Sequence, residues 1–318
     1  MITLGLLLTR QHRLLSVAAI LDVFESVNRF CEKEGKAPSF DIHVVTQVKE
    51  HTLPGNYRMG SLPRDKMDII FIPAFAADDI QTAIQENTAC IPWLREQYSL
   101  GAELASFCTG AFLLAATGLL NGKRATTHID AMMSFSNAFP QVRLEGHSVV
   151  TEDNGIYTSG GATSSFHLML HLIQCYCGRD MALRIAKMFA IDMDRVQQSY
   201  FGTFTPAQTH GDQLVVMAQK KIEAGYTRTT TIEEIIQDLP ASRRNVVRRF
   251  KHATGVTPIE YLQKTRIEAA KKLLEHTDQS VMEIMLSTGY NDLKAFRQLF
   301  KKTAGITPKE YREKFNRV

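Results

Sequence analysis

Residues 250–261 and 300–311 are two copies of one pattern at a constant offset of 50. The shared residues are Phe250 and Phe300, Lys251 and Lys301, Gly255 and Gly305, Thr257 and Thr307, Pro258 and Pro308, Glu260 and Glu310, and Tyr261 and Tyr311. Self-similarity of this kind signals a duplicated supersecondary unit. The shared residues have physical jobs. Each Gly follows a helical pattern and suits a left-handed C-terminal cap. Each Thr then falls at an N-cap, with Pro at the first helical position, where a missing N–H costs nothing. Each Glu lies three residues after its Thr and completes a capping box. Both copies therefore predict a helix, a Gly stop, a Thr-Pro start and a second helix.

A helix–turn–helix pattern precedes each copy. In the first, Ile232, Ile235, Ile236 and Leu239 carry an apolar face, Pro240-Ala241 turns, and Ser242 is expected to cap the helix 242–251. In the second, Ser280 with Glu283 starts a helix, Gly289-Tyr290 turns, and the helix 292–301 follows. A tight turn before a short helix with a polar outer face is how a recognition helix is offered to a major groove. Val246 and Phe250 point inward in the first helix, which leaves Arg244, Asn245 and Arg248 outside. Phe296, Leu299 and Phe300 point inward in the second, which leaves Lys294, Arg297 and Gln298 outside. Arg, Asn and Gln match base edges with forked donors or donor–acceptor pairs. Lys251, Lys301 and Lys302 suit phosphates as point charges. The amphipathic stretch 266–275, striped by Ile267, Ala270 and Leu274, is placed to hold the two readers about 34 Å apart, one turn of DNA.

Charge follows the repeat. Residues 213–318 hold 20 Lys and Arg against 12 Asp and Glu, a net of +8, whereas residues 1–212 hold 17 against 21, a net of −4. That asymmetry fits a nucleic-acid-binding module joined to something else. The carboxyl-terminal third resembles the AraC/XylS-type DNA-binding domain, two helix–turn–helix units joined by a long helix. The resemblance rests on Gly289-Tyr290, Phe296, Phe300-Lys301-Lys302, Gly305-Ile-Thr-Pro308 and Tyr311-Arg312, and covers about 230–316. Pro240 departs from the small residue usual at the first turn.

The first 200 residues alternate apolar strands with helical patterns. Strands are expected at Ile2–Leu8, Phe40–Val48, Met67–Pro73 and Leu100–Phe107, and helices at Leu14–Phe30, Thr82–Tyr98 and Gly110–Leu119. Such alternation predicts a doubly wound α/β sheet with sites at the carboxyl ends of its strands. At Ala105-Ser-Phe-Cys108-Thr109-Gly110, a strand passes into a helix around a cysteine flanked by small residues. This spacing suits a nucleophile elbow, where a helix N-terminus lowers a thiol pKa; it suits equally a small buried cysteine. Cys108-Thr-Gly-Ala, Gly118-Leu-Leu-Asn-Gly122, Ala125-Thr-Thr-His128, Phe139-Pro140 and Thr158-Ser-Gly-Gly-Ala162 resemble the PfpI-type, class I glutamine-amidotransferase-like domain. This resemblance implies a flavodoxin-like fold. Its fusion to an AraC-type tail resembles the GlxA group of transcription regulators.

The same resemblance places His128, twenty residues after Cys108, where catalytic relatives carry a histidine. Ser16 stands in place of their acid, Ala74-Phe75 in place of Gly-Gly, Ile129 in place of Trp and His167 in place of Asp. Cys108, Thr109 and His128 are therefore expected to line a ligand pocket or a vestigial catalytic site, and no residue is assigned a catalytic role. The alternatives are a cysteine-dependent hydrolase, lyase or hydratase with a DNA-binding tail, and a pure oligomerisation platform.

Length and composition agree with this layout. The 318 residues, 44% hydrophobic and 22% charged, suit two globular domains at about 150 residues each. The expected division is 1–200 for sensing or dimerisation, 201–212 as linker and 213–318 for DNA binding. Five cysteines without a CxxC pair fit reduced thiols rather than a disulfide scaffold or a zinc site. The start lacks a signal-peptide pattern. The expected protein is a cytoplasmic, homodimeric regulator, an activator able to meet RNA polymerase. Its partners would be double-stranded DNA and a small-molecule effector, with no metal, cofactor or membrane.

Overall fold

The apolar runs of the first 200 residues become the strands of one buried sheet. A computed structural model describes residues 1–47, 57–77, 79–195, 197–204, 210–228 and 231–316. The chain divides into two units, Met1–Gln198 and Ser199–Val318. Val48, expected to end the second strand, and Pro206, expected in the linker, lie outside the described residues.

The first unit runs β1 (Ile2–Leu7), α1 (Leu14–Lys33), β2 (Phe40–Val45), β3 (Arg58–Gly60), β4 (Ile69–Ile72), α2 (Ile80–Glu86), α3 (Cys90–Ser99), β5 (Glu103–Phe107) and α4 (Gly110–Ala116). It continues through β6 (Arg124–Ala125), α5 (Met132–Ala138), β7 (Arg143–Leu144), β8 (Val150–Asp153), β9 (Ile156–Ser159), α6 (Ser164–Cys177) and α7 (Arg179–Met188). Seven strands pair in the order β3-β2-β1-β4-β5-β9-β8, all parallel except the β8–β9 pair. β6 and β7 form a separate parallel pair. Because side chains alternate along a strand, the sheet feeds two cores. Leu4, Leu6, Phe71, Ala105 and Phe107 face one core with α1, α6 and α7. Ile70, Ile72 and Leu104 face the other with α3 and α4. The result is the doubly wound, flavodoxin-like α/β unit.

One expected helix, Thr82–Tyr98, is two. Asn87 breaks it: buried, it accepts from the Arg10 N–H at 2.8 Å and donates to the carbonyls of Ala83 and Arg10, tying the end of α2 to the loop after β1. The expected Leu100–Phe107 strand begins only at Glu103.

The second unit contains α8 (Gln213–Gly225), α9 (Ile232–Ile236), α10 (Arg243–Thr254), α11 (Pro258–His276), α12 (Val281–Ser287), α13 (Leu293–Ala304) and α14 (Pro308–Phe315). The repeat is visible in the geometry. Gly255 and Gly305 end α10 and α13 in the left-handed region, at φ 77° and 79°. Thr257 and Thr307 open α11 and α14 with complete capping boxes. Phe250 meets the Tyr261 ring edge-on at 5.2 Å, and Phe300 meets Tyr311 the same way at 5.5 Å. Each Tyr hydroxyl donates to a glutamate at 2.6 Å, Tyr261 to Glu223 and Tyr311 to Glu275. The Thr-Pro start and the stretch 266–275 are a single helix, α11. At 1.5 Å per residue it is about 28 Å long, and it serves two cores. Tyr261 and Leu262 join the first, and Ile267, Ala270 and Leu274 join the second.

The stretch expected as linker is not free of the helical unit. Phe204 packs on the first core and the Gly202 carbonyl accepts from Lys271, while Tyr200, just before the stretch, is buried in the second core. Among the described residues, no helix is long and apolar enough to cross a membrane.

Candidate DNA interface and the elbow cysteine

Inward and outward positions on α10 and α13 follow from their apolar stripes. Val246 and Phe250 are buried in the first core, and Phe296 and Phe300 in the second. Arg244, Arg248 and Lys251 are exposed on α10, with Asn245 half-buried; Lys294, Arg297, Gln298 and Lys301 are all exposed on α13. Arg248 donates to Asn245 Oδ1 at 3.0 Å, so these two side chains form one hydrogen-bonded edge. Among the described residues, the side chains of Arg244, Lys294, Arg297 and Gln298 form no hydrogen bond or ion pair within the chain. The backbone N–H and hydroxyl of Thr257 hold Glu260 below the usual carboxylate range, and Lys251 contributes to this from across the turn. Thr307 does the same for Glu310, helped by Lys301.

Three cations that carry no assignment from the sequence are held within the helical unit. Arg249 neighbours Arg248 but turns away from the exposed stripe and grips Asp212 with two bonds, of 2.8 and 2.6 Å. Its position three after Val246 is the signal that it faces back toward α8. Arg266 is buried, donates to the carbonyls of Tyr226 and Arg228, and lies 5.2 Å from the Tyr290 ring centre. Lys271 is buried on the same helix. Neither had a local signal, because their partners are distant in sequence. Ser242 stands at the expected N-cap of α10, but its side chain makes no capping hydrogen bond.

In the first unit, Cys108 occupies a strand–turn–helix corner at the carboxyl end of β5. Its φ of 53° is the sharp backbone turn expected of an elbow. Its N–H donates to Ser159 O at 3.0 Å, and its carbonyl accepts from the Thr127 hydroxyl at 3.0 Å. Gly110 permits the close approach to β4: a Cβ there would lie 2.5 Å from the Pro73 carbonyl oxygen. Of the two readings of this cysteine, its surroundings favour the buried thiol. Burial pushes the Cys108 thiol up, and the opposing Thr109 backbone N–H and Arg13 charge do not offset it.

The surroundings are occupied by the chain itself. The Phe75 N–H donates to Thr109 Oγ1 at 2.9 Å, and the Ala74 N–H donates to Ser16 Oγ at 3.4 Å. These are the backbone donors at the Ala74-Phe75 position, where an oxyanion would need them free. His128 caps a short turn, Ile129–Ala131, and its Nδ1 accepts the Asp130 N–H at 3.2 Å. That places the ring proton on Nε2, whose surroundings include the Gly161 backbone. No hydrogen bond joins Cys108 Sγ to His128. The structure therefore brings Cys108 and Thr109 against the end of β4 and places Thr127, the residue before His128, on the Cys108 carbonyl, without forming a thiol–imidazole pair. His167 on α6 hydrogen-bonds the carbonyls of Thr163 and Asp192.

Comparison with known proteins matches each part. Residues 30–175 match the DJ-1/PfpI family, and residues 236–314 match a helix-turn-helix domain. The HTH-type transcriptional regulator GbdR of Pseudomonas aeruginosa is 27% identical over 70% of this chain, which spans 61% of that regulator's length. The HTH-type transcriptional regulator GlxA of Rhizobium meliloti is 27% identical over 72% of this chain and 71% of its own. Among solved structures, a candidate transcriptional regulator from Vibrio parahaemolyticus aligns with a TM-score of 0.50 at 23% identity, covering 59% of this chain and 98% of that one. The chain thus joins a domain that matches the DJ-1/PfpI family to one that matches a helix-turn-helix domain.

Proposed function

We propose that this protein is a sequence-specific DNA-binding transcription regulator that reads two successive major grooves with α10 and α13. The observation that carries this reading is the duplicated unit. Two recognition helices, each built on the same Phe–Tyr–Glu core, carry cationic and amide side chains on their outer faces. Arg244, Asn245, Arg248, Arg297 and Gln298 are placed to read bases, and Lys251, Lys294 and Lys301 to meet phosphates. Regulators named as HTH-type are similar to this chain, at 27% identity, over 70% and 72% of its length.

The DJ-1/PfpI domain is read as the sensing part, binding a small molecule or a partner subunit near Cys108, Thr109 and His128. Such a ligand biases DNA binding only if it distinguishes the DNA-competent state from the incompetent one. Sensing rather than turnover is supported by the raised thiol pKa and by the self-satisfied backbone donors at Ala74 and Phe75. A cysteine enzyme would need a base on the Cys108 thiol, and His128 spends its acceptor nitrogen on Asp130. Dimer formation and contact with RNA polymerase belong to the same reading.

A mobility-shift assay tests it, using the full-length chain and its own upstream DNA at several salt concentrations, with and without a metabolite pool. The expected result is a specific shift that weakens steeply with salt, as phosphate contacts require, and that responds to the pool. No specific shift under either condition contradicts the proposal.

A further inference from the structure

Both recognition helices are gripped from behind by the chain that enters the helical unit. Residues Ser199–Phe201 form a short helical turn that packs on α13. Tyr200 is 8% exposed and joins the core that holds Phe296 and Phe300, the buried side of α13. Lys314 lies 4.8 Å from the Tyr200 ring centre, and Phe201 meets Phe315 edge-on at 5.9 Å. The next residues are fastened to α11. The buried Lys271 ammonium donates to Gly202 O at 2.6 Å. Glu268 accepts from both the Phe204 N–H and Lys271. Phe204 then meets the Tyr261 ring edge-on at 5.1 Å and so reaches the first core. At the start of α8, Asp212 caps the helix through the Val215 N–H and clamps Arg249 of α10 with its two carboxylate oxygens.

A free tether would not have this character. A buried ammonium is costly unless it is paired and hydrogen-bonded, and here its partners are a strap carbonyl and a carboxylate that also binds the strap. An Arg–carboxylate fork fixes direction as well as distance.

We propose that Tyr200 and Asp212 are positioning residues for DNA reading: Tyr200 holds the rear of α13 and Asp212 holds the rear of α10, and between them they set the two readers. This rests on α10 and α13 being the readers. It also gives the preceding domain a route to α13, since the turn that carries Tyr200 follows that domain directly in sequence.

Amide hydrogen exchange on the full-length chain without DNA tests the strap by itself. Tyr200→Ala is expected to speed exchange in α13 by about tenfold, as local opening does, while Tyr200→Phe restores the wild-type rate because the ring makes the packing. Asp212→Asn keeps a good N-cap and is expected to speed exchange in α10 while leaving α13 unchanged. In both variants α4 serves as an unaffected reference. Unchanged α13 in Tyr200→Ala, or equal acceleration across all seven helices, overturns the proposal. The functional arm uses a duplex selected by the wild-type chain from a random pool. The ratio of specific to non-specific affinity is expected to fall about tenfold in Tyr200→Ala and to recover in Tyr200→Phe. If the wild-type chain selects no duplex, the DNA-reading proposal fails, and the exchange data still decide whether the strap holds the helices.

Discussion

In the second helix–turn–helix unit, α13 starts on Asp292, whose carboxylate accepts from the N–H groups of Lys294 and Ala295. In the first, α10 starts on Ser242, whose side chain caps nothing. α12 spans seven residues and α9 five. The second turn runs through Gly289 at φ 82°, whereas the first runs through the exposed Pro240. After the recognition helix the differences vanish: Gly cap, Thr-Pro start, ring pair and Tyr–Glu bond are the same in both units. The reading surfaces divide in the same way. Offset by 50, Arg244 matches Lys294, Arg248 matches Gln298 and Lys251 matches Lys301. Asn245 faces Ala295 in this comparison, and Arg297 faces the half-buried Val247. The repeat thus preserves how a reader is mounted and lets its contents vary, so the two readers should prefer different bases.

The comparison can be broken most severely at the turns. A Cβ on Gly289 would lie 2.4 Å from the Tyr226 carbonyl oxygen, in a backbone region that side chains disfavour. Gly289→Val is therefore expected to cost roughly 3 kcal/mol or more in a denaturant titration. Pro240→Val at the exposed first turn should stay within about 0.5 kcal/mol. Equal losses would mean that the two turns are built alike after all. The caps offer a smaller and finer test. Asp292→Ala should cost about 1 kcal/mol, while Ser242→Asp should stabilise by about 0.5–1 kcal/mol by supplying the missing cap. A loss on Ser242→Asp would show that α10 has no use for one.

Local chemistry was legible in the sequence and distant chemistry was not. The repeat exposed the caps, the Gly stops, the stripe of Val246 and Phe250, and the polar faces of α10 and α13, because each depends on residues within a turn or two. The elbow at Cys108 was legible from its small neighbours. The state of its thiol was not, since burial by elements far along the chain outweighs the helix start. Nothing local marks Arg249, Arg266 and Lys271 as internal, because their partners are Asp212, the Tyr226 carbonyl and the Gly202 carbonyl, far along the chain. Polar composition makes 201–212 look like a tether, but the ring of Phe204 finds a partner, Tyr261, more than fifty residues later. Asn87 likewise breaks a periodic helix through a partner, Arg10, that no helical window includes.

The central claim is that two differently furnished helices read one duplex together. Guanine methylation interference, with the full-length chain on a duplex it selects, measures this directly. The account predicts two clusters of major-groove contact about one helical turn apart, with Arg248→Ala erasing one cluster and Arg297→Ala the other. A single cluster, or loss of both clusters in either variant, would contradict it.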